Sequence, residues 1–279
     1  MNKSFPITLL LSVLTFHYSS AQYYYKDILG SQQLATDMAV LKDHKIQKVD
    51  VKSYEADEQP SEGFFCEKII SKDYRKMETY TKSSSTAKSL LTTYFDDKGR
   101  LFKTIDSSEI SVAYSEYSYN DKGYIATITS TSQSSDADFV TSLVEVHQYQ
   151  YNDNGQPKRM LLIKNKKDTT EIDFIIDSTG KVSEESEIAV FGNHYYYYYD
   201  NAGRMTDIVR YNTEKKKALP DFIFQYDEDG HLAQMITVDI GVTSDYLVWK
   251  YLYDGDLRIK EKCYSKEKKL LGYFEYEYE

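Results

Sequence analysis

The sequence predicts an all-β protein: an antiparallel meander of repeated β-hairpins that forms a curled sheet, partial shell or flattened barrel, with a short N-terminal helix. Three observations predict it. A nine-residue pattern recurs seven times at near-constant spacing, the segments before it alternate aromatic with polar residues, and the 279-residue chain holds 28 Tyr but only 12 Gly and 4 Pro. Setting Tyr aside lowers the hydrophobic share from 41% to about 31%, below the usual range, so any core leans on tyrosine. The same scarcity of Gly and Pro excludes collagen-like and Gly/Pro-rich disordered chains.

Residues 1–21 read as a signal peptide. Lys3 supplies the positive end, Ile7 to Phe16 the apolar run, and Ser19 and Ala21 the small residues before a cut at Gln22. The run is shorter than the roughly 20 apolar residues of a transmembrane helix. Nothing later reads as a membrane span, so the expected location is periplasmic or extracellular. The formal charge is −10, which argues against nucleic acid and anionic membrane surfaces as partners.

Residues 22–45 form a helical segment, with Ser31 expected as N-cap of a helix running to about Asp43 and Leu34, Met38 and Leu41 on one face. Residues 46–279 follow as a single repeat domain, clearest over 91–279. Lys45 to Thr81 reads as further strand broken by the turn EADEQPSEG, and the closing YFEYEYE is the outgoing strand of another hairpin.

The seven copies are TYFDDKGRL, YSYNDKGYI, YQYNDNGQP, FIIDSTGKV, YYYDNAGRM, FQYDEDGHL and the shortened YLYDGDL. Their glycines are Gly99, Gly123, Gly155, Gly180, Gly203, Gly230 and Gly255. A period of this size signals a repeat architecture. Asp or Asn opens a type I turn and Gly takes the left-handed position that closes it. Seven hairpins give about fourteen strands. Counting back from the turn in steps of two gives apolar columns: Phe95, Tyr119, Tyr151, Ile176, Tyr199, Tyr226 and Tyr253, then Thr93, Tyr117, Tyr149, Phe174, Tyr197, Phe224 and Tyr251. A third column includes His147, Tyr195, Phe222 and Trp249, and the return strands contribute Leu101, Ile125, Pro157, Val182, Met205, Leu232 and Leu257. Interleaved positions are more polar, the pattern of a sheet buried on one face. Pro157 in such a ladder marks an edge or bulge.

These residues resemble the YD (RHS-type) repeat family of secreted bacterial proteins. Tyr199-Asp200-Asn201-Ala202-Gly203-Arg204-Met205 and Tyr226-Asp227-Glu228-Asp229-Gly230-His231-Leu232 carry its Tyr-Asp pair, Gly, basic residue and aliphatic residue; Phe95 to Leu101 carries it with Phe for Tyr. The likeness covers roughly Leu91 to Glu279. It implies a hairpin-sheet shell, with adhesion or carbohydrate contact among the roles of relatives.

Chemistry is sparse by comparison. GxGxxG, P-loop, GxSxG and HExxH patterns do not occur. His44, His147, His194 and His231 are scattered, and His147, falling in an inward column, reads as a hydrogen-bonded structural residue. The acidic turns fail the EF-hand pattern, so no metal or cofactor is expected. Cys66 and Cys263 fit either a disulfide closing a loop of roughly 200 residues or two buried thiols. Tyr195, Tyr197 and Tyr199 beside Trp249, Tyr251 and Tyr253 are the candidate ligand-stacking row, against the alternative that they fill a shallow core. The Lys-rich runs KNKK, EKKK and KEKK fall near turns opposite the DxxG turns, as solvated edges. An outer-membrane barrel also alternates, but strands with Lys, Glu and Asp in their middles argue against it. The function expected is that of an exported, non-enzymatic structural or interaction module binding a cell-envelope glycan, peptide or protein. A carrier of a lipid or other apolar ligand is the alternative, and a carboxylate-dependent hydrolase the third.

Overall fold

The computed structural model describes residues 23–279 except 85, 135–141, 191, 213–215 and 240–244; the expected leader peptide lies outside the described residues. Helix α1 (Tyr25–Asp43) precedes three strands, β1 (Lys48–Glu55), β2 (Phe65–Ile70) and β3 (Lys76–Lys82). The seven DxxG hairpins follow in order. They are β4 (Ser89–Phe95) with β5 (Leu101–Ser108), β6 (Ser111–Tyr119) with β7 (Ile125–Ser134), and β8 (Ser142–Tyr151) with β9 (Pro157–Lys164). Next come β10 (Asp168–Ile176) with β11 (Val182–Glu187), and β12 (His194–Tyr199) with β13 (Met205–Asn212). The last two are β14 (Lys217–Tyr226) with β15 (Leu232–Asp239) and β16 (Asp245–Asp254) with β17 (Leu257–Ser265), after which β18 (Leu270–Tyr278) completes the set.

Each strand pairs antiparallel with its neighbour in sequence. The ring then shuts, because β1 also pairs with β18 from Val49 opposite Tyr278 to Glu55 opposite Gly272. The expected curled sheet is therefore a closed meander of 18 strands. Closure satisfies the ladder groups that an open edge would expose. It also hides the aromatic columns, which form two buried clusters, one around Phe95, Leu101, Trp249 and Phe274 and one around Tyr149, Met160, Ile172, Tyr195 and Ile208.

The turn chemistry explains why the hairpins repeat. In the first, the Asp96 carboxylate accepts the N–H groups of Lys98 and Arg100 at 2.9 Å each, and Gly99 N–H closes the turn on the Asp96 carbonyl at 2.9 Å. All seven turn glycines sit at positive φ, between +55° and +94°, where a side chain is strained. A register shift one residue before each turn accommodates the extra turn residue as a bulge, as between Tyr94 and Phe95. Pro157 opens β9 opposite Tyr151 at one of these bulges, so no central ladder donor is lost.

The column nearest the turn does more than pack. The Tyr119 hydroxyl donates to the Leu101 carbonyl of the preceding hairpin at 2.5 Å. Tyr151 does the same to Ile125, Tyr199 to Val182, Tyr226 to Met205 and Tyr253 to Leu232, over 2.7–3.3 Å. In β18, Tyr278 reaches the Arg258 carbonyl at 2.6 Å. Five of the hairpins are thus pinned to the one before them, the fourth carrying Ile176 at this position, and Arg100 and Arg204 lie over the Tyr119 and Tyr226 rings at 4.1 and 4.7 Å.

One expectation needs correction, and one choice left open is resolved. The helix starts six residues earlier than Ser31, with Tyr24 at the N-cap. Ser31 lies buried within it, its hydroxyl bonded to the Ile28 carbonyl. The helix lies inside the barrel, since Met38 and Leu41 join the first buried cluster while Ile28 packs on the second. At 1.5 Å per residue its 19 residues measure about 28 Å, enough to reach from one cluster to the other. The cysteines are free and buried. Cys66 in β2 and Cys263 in β17 are separated by β1 and β18, three inter-strand steps or roughly 14 Å, well beyond bridging distance. Burial pushes the Cys66 and Cys263 thiols up to about 11 and about 12.

Replacing Tyr226 by Phe should lower unfolding stability by about 1 kcal/mol through loss of the hydroxyl bond to Met205, whereas Tyr198→Phe on the exposed wall should change it by less than about 0.5 kcal/mol; urea titrations compare the two. The mature protein should run identically on reducing and non-reducing gels, and both thiols should react with a thiol reagent only after unfolding.

Candidate functional site

The start of α1 is held by a buried polar cluster on the inner wall. The backbone N–H groups of Tyr24 and Tyr25 donate to the two carboxylate oxygens of Glu185 at 2.7 and 2.8 Å, and the Tyr197 hydroxyl donates to the same carboxylate at 2.7 Å. One residue pair further on, Asp27 accepts the Tyr149 hydroxyl at 2.8 Å and lies 2.5 Å from Nδ1 of His147. The other ring nitrogen of His147 is 2.9 Å from Glu145, which also faces Lys164 at 3.7 Å. A carboxylate on the free N–H groups of a helix start is favoured by both hydrogen bonding and the helix dipole.

Electrostatics follow from burial and pairing. Burial alone would lower the His147 pKa, but Asp27 and then Glu145 outweigh it and hold the ring up to about 9. Burial pushes against ionisation of Asp27, yet His147 and Tyr149 bring its carboxyl below the usual range. Glu185 goes the other way. Burial raises it to about 7 despite its three donors. With both nitrogens engaged by carboxylates, His147 is a clamp; the structural reading of this residue holds. A second buried group sits across the barrel, where Glu261 accepts Arg258 at 2.7 Å and the Tyr276 hydroxyl at 2.6 Å.

The six residues expected as a stacking row do not form an exposed one. Tyr195, Tyr197, Trp249 and Tyr251 are buried, at 1%, 3%, 2% and 8% exposure. Tyr199 and Tyr253 are half-buried with their hydroxyls committed to backbone carbonyls. Tyr23 packs on Tyr195 and Tyr197 with ring centroids 5.8 and 6.2 Å away. They fill the core instead, together with α1.

The exposed rings are on the other face of the same strand. In β12 the odd residues point inward, so His194, Tyr196 and Tyr198 point out, and Tyr198 is 52% exposed. On β13 the outward Tyr211 is 41% exposed. His194 stacks on Tyr196 at 4.5 Å and bonds Glu184 at 2.9 Å. Glu184 stands opposite Tyr196 and Asp207 opposite Tyr198 in the ladders. The signal was present in the sequence: HYYYYY is a strand with no polar residue interleaved, so both of its faces are aromatic.

Among the described residues, Asp227, Asp229 and His231 bring three potential metal ligands together. Asp227 is already occupied by the His231 backbone N–H at 2.8 Å and its ring at 3.4 Å. That is the turn chemistry common to the repeats.

No family model matches the chain, and no curated protein matches it. Among solved structures, it is similar to a porin-like protein from Bacteroides uniformis at 11% identity, covering 84% of this chain and 98% of that one, with a TM-score of 0.38. A porin-like protein from Bacteroides vulgatus matches at 12% identity over 84% and 98%, with a TM-score of 0.31. A Photorhabdus luminescens Tc holotoxin pore matches at 10% identity and a TM-score of 0.22, over 85% of this chain but 17% of that one. At such TM-scores these likenesses carry no argument; the barrel rests on the strand pairing described above.

The helix clamp predicts a pH profile. His147 is raised from 6.5 to about 9, so its contribution is fully present below about pH 6.5 and is lost as pH rises through 9; Glu185, raised to about 7, weakens the fold in the same direction. Urea midpoints should therefore fall between pH 6.5 and 9. Asp27→Asn should cost about 3 kcal/mol at pH 6.5 and reduce the alkaline decline.

Proposed function

We propose that the protein is an exported, non-enzymatic interaction module of the cell envelope whose working surface is the outer wall of the barrel. One observation carries the reading: the inward aromatic columns are consumed by packing, by hydroxyl bonds to backbone carbonyls and by α1. Recognition is left to the outside. Export rests on the leader-like residues 1–21.

The outer wall supports a solvated setting rather than a lipid one. Outward positions carry ion pairs between strands, Lys48 with Glu67 at 3.3 Å, Lys260 with Glu275 at 2.6 Å, Arg159 with Asp173 at 2.5 Å, and Lys52 with Glu277. Lipid-facing strands disfavour such charges. The buried acids Asp27, Glu145 and Glu185 are engaged by a histidine, two tyrosines and backbone N–H groups, which supports a structural use of these carboxyls over hydrolysis. Against the apolar-carrier reading, the face of α1 that remains exposed carries Gln32, Gln33, Thr36 and Asp37, a polar lining for any space beside it.

Immobilised mature protein, offered separated envelope glycan, peptidoglycan and detergent-solubilised protein fractions, should retain one of them saturably, with soluble barrel competing. Retention of none overturns the reading. A lipid co-purifying at one per barrel in native mass spectrometry would favour the carrier instead.

A further inference from the structure

The outer wall is not uniform, and β12 is where it departs most from the pattern. Elsewhere at least one of the two outward positions nearest each DxxG turn is polar or charged, as with Glu116 and Ser118 on β6, Asp173 beside Ile175 on β10 and Lys250 beside Leu252 on β16. On β12 they are His194, Tyr196 and Tyr198, and Tyr211 on β13 extends the rings across to the next strand. Residues two apart on one strand stand roughly 7 Å from each other and adjacent strands about 4.8 Å apart. The rings therefore tile a shallow strip about two strands wide. Ile175, 50% exposed and opposite Glu184, continues it on the β10 side.

Charge around the strip restricts what it can hold. The register partners of its outward residues are Glu184, Ser186, Asp207, Val209 and Ala218, with no basic residue among them. Two outward tyrosines elsewhere are covered by cations: Lys260 stands over Tyr273 at 4.8 Å and Lys250 over Tyr264 at 5.8 Å. Among the described register partners an anionic ligand would meet two carboxylates and no cation. A ligand with flat C–H faces and many hydroxyl donors fits both features, its faces on the rings and its hydroxyls on the carboxylates.

We infer that the strip of His194, Tyr196, Tyr198 and Tyr211, edged by Glu184 and Asp207, is a binding platform for neutral sugar rings of a glycan chain. The inference rests on the outer wall being the working surface and names the ligand class for it. Glu184 holds His194 flat against Tyr196, which fixes two of the rings. Asp207 stands beside the most exposed ring, Tyr198, as an acceptor.

The test is affinity electrophoresis and calorimetry of the mature protein against a panel of neutral glucose-based and N-acetylglucosamine-based polysaccharides and hexasaccharides, with choline and a sulfated polysaccharide as controls. At least one neutral probe should bind. Tyr198→Ala and Tyr211→Ala should each weaken it about three- to tenfold, with unfolding midpoints unchanged because both side chains are exposed. Tyr198→Trp should retain binding, and Asp207→Asn should weaken it less than loss of the ring. The inference is overturned if no neutral probe binds, if the two alanine variants bind as the wild type does, or if choline or the sulfated chain binds at this strip instead. Envelope capture that persists in both variants would overturn the platform alone and leave the interaction reading standing; loss of all capture by the wild type would remove that reading itself.

Discussion

A buried tyrosine gains from its ring only if its hydroxyl finds a partner, because an unmet hydroxyl in an apolar setting costs as much as a good contact contributes. Many inward tyrosines of this chain meet that condition, Tyr195 being an exception whose buried hydroxyl has no partner among the described residues. The first column meets the condition by reaching back one hairpin to a backbone carbonyl. Deeper tyrosines meet it with acids, Tyr149 on Asp27, Tyr197 on Glu185 and Tyr276 on Glu261. The acids in the core are thus present because the aromatics are. Once buried they need cations or backbone donors of their own, and His147, Arg258 and the start of α1 supply them.

The helix follows from the same chain of need. A ring of 18 strands is too wide for single side chains to fill, and the inward columns alone leave the two clusters apart. Helix α1 spans them, with Met38 and Leu41 at one end and Tyr24, Tyr25 and Asp27 at the other. Its polar residues Gln32, Gln33 and Thr36 show that it is not packed all round. It is fastened more than it is buried. The fastening is concentrated in four side chains, Glu185, Asp27, His147 and Tyr149.

How much of this could be read from sequence differs by level. The hairpins were legible because a turn needs Asp or Asn and Gly at fixed offsets, and the face of each strand because Phe95, Tyr119 and Tyr199 recur in phase. Closure was only half legible: the buried columns demand cover, but the pairing of Val51 with Tyr276 joins segments far apart in the chain and leaves no local mark. Ser31 looked like a cap because its residue type favours one, and the earlier start of the helix depends on Glu185, 160 residues from Tyr25. Cys66 and Cys263 come near enough in the ring to share a cluster yet stand three strands apart, a difference that composition cannot express. The tyrosine row expected to be exposed lies on the buried face, since in HYYYYY parity alone decides which rings meet water.

The seam between β1 and β18 has a temporal side. Residues 48–55 emerge from the ribosome some two hundred residues ahead of the segment that will flank them, and until it arrives one whole side of β1 lies bare. Assembly can proceed hairpin by hairpin through local contacts, each new tyrosine latching onto the unit already made. The final join is instead of very high contact order and slow by nature, so the greatest hazard of adhering to a sister molecule comes at the last stitch.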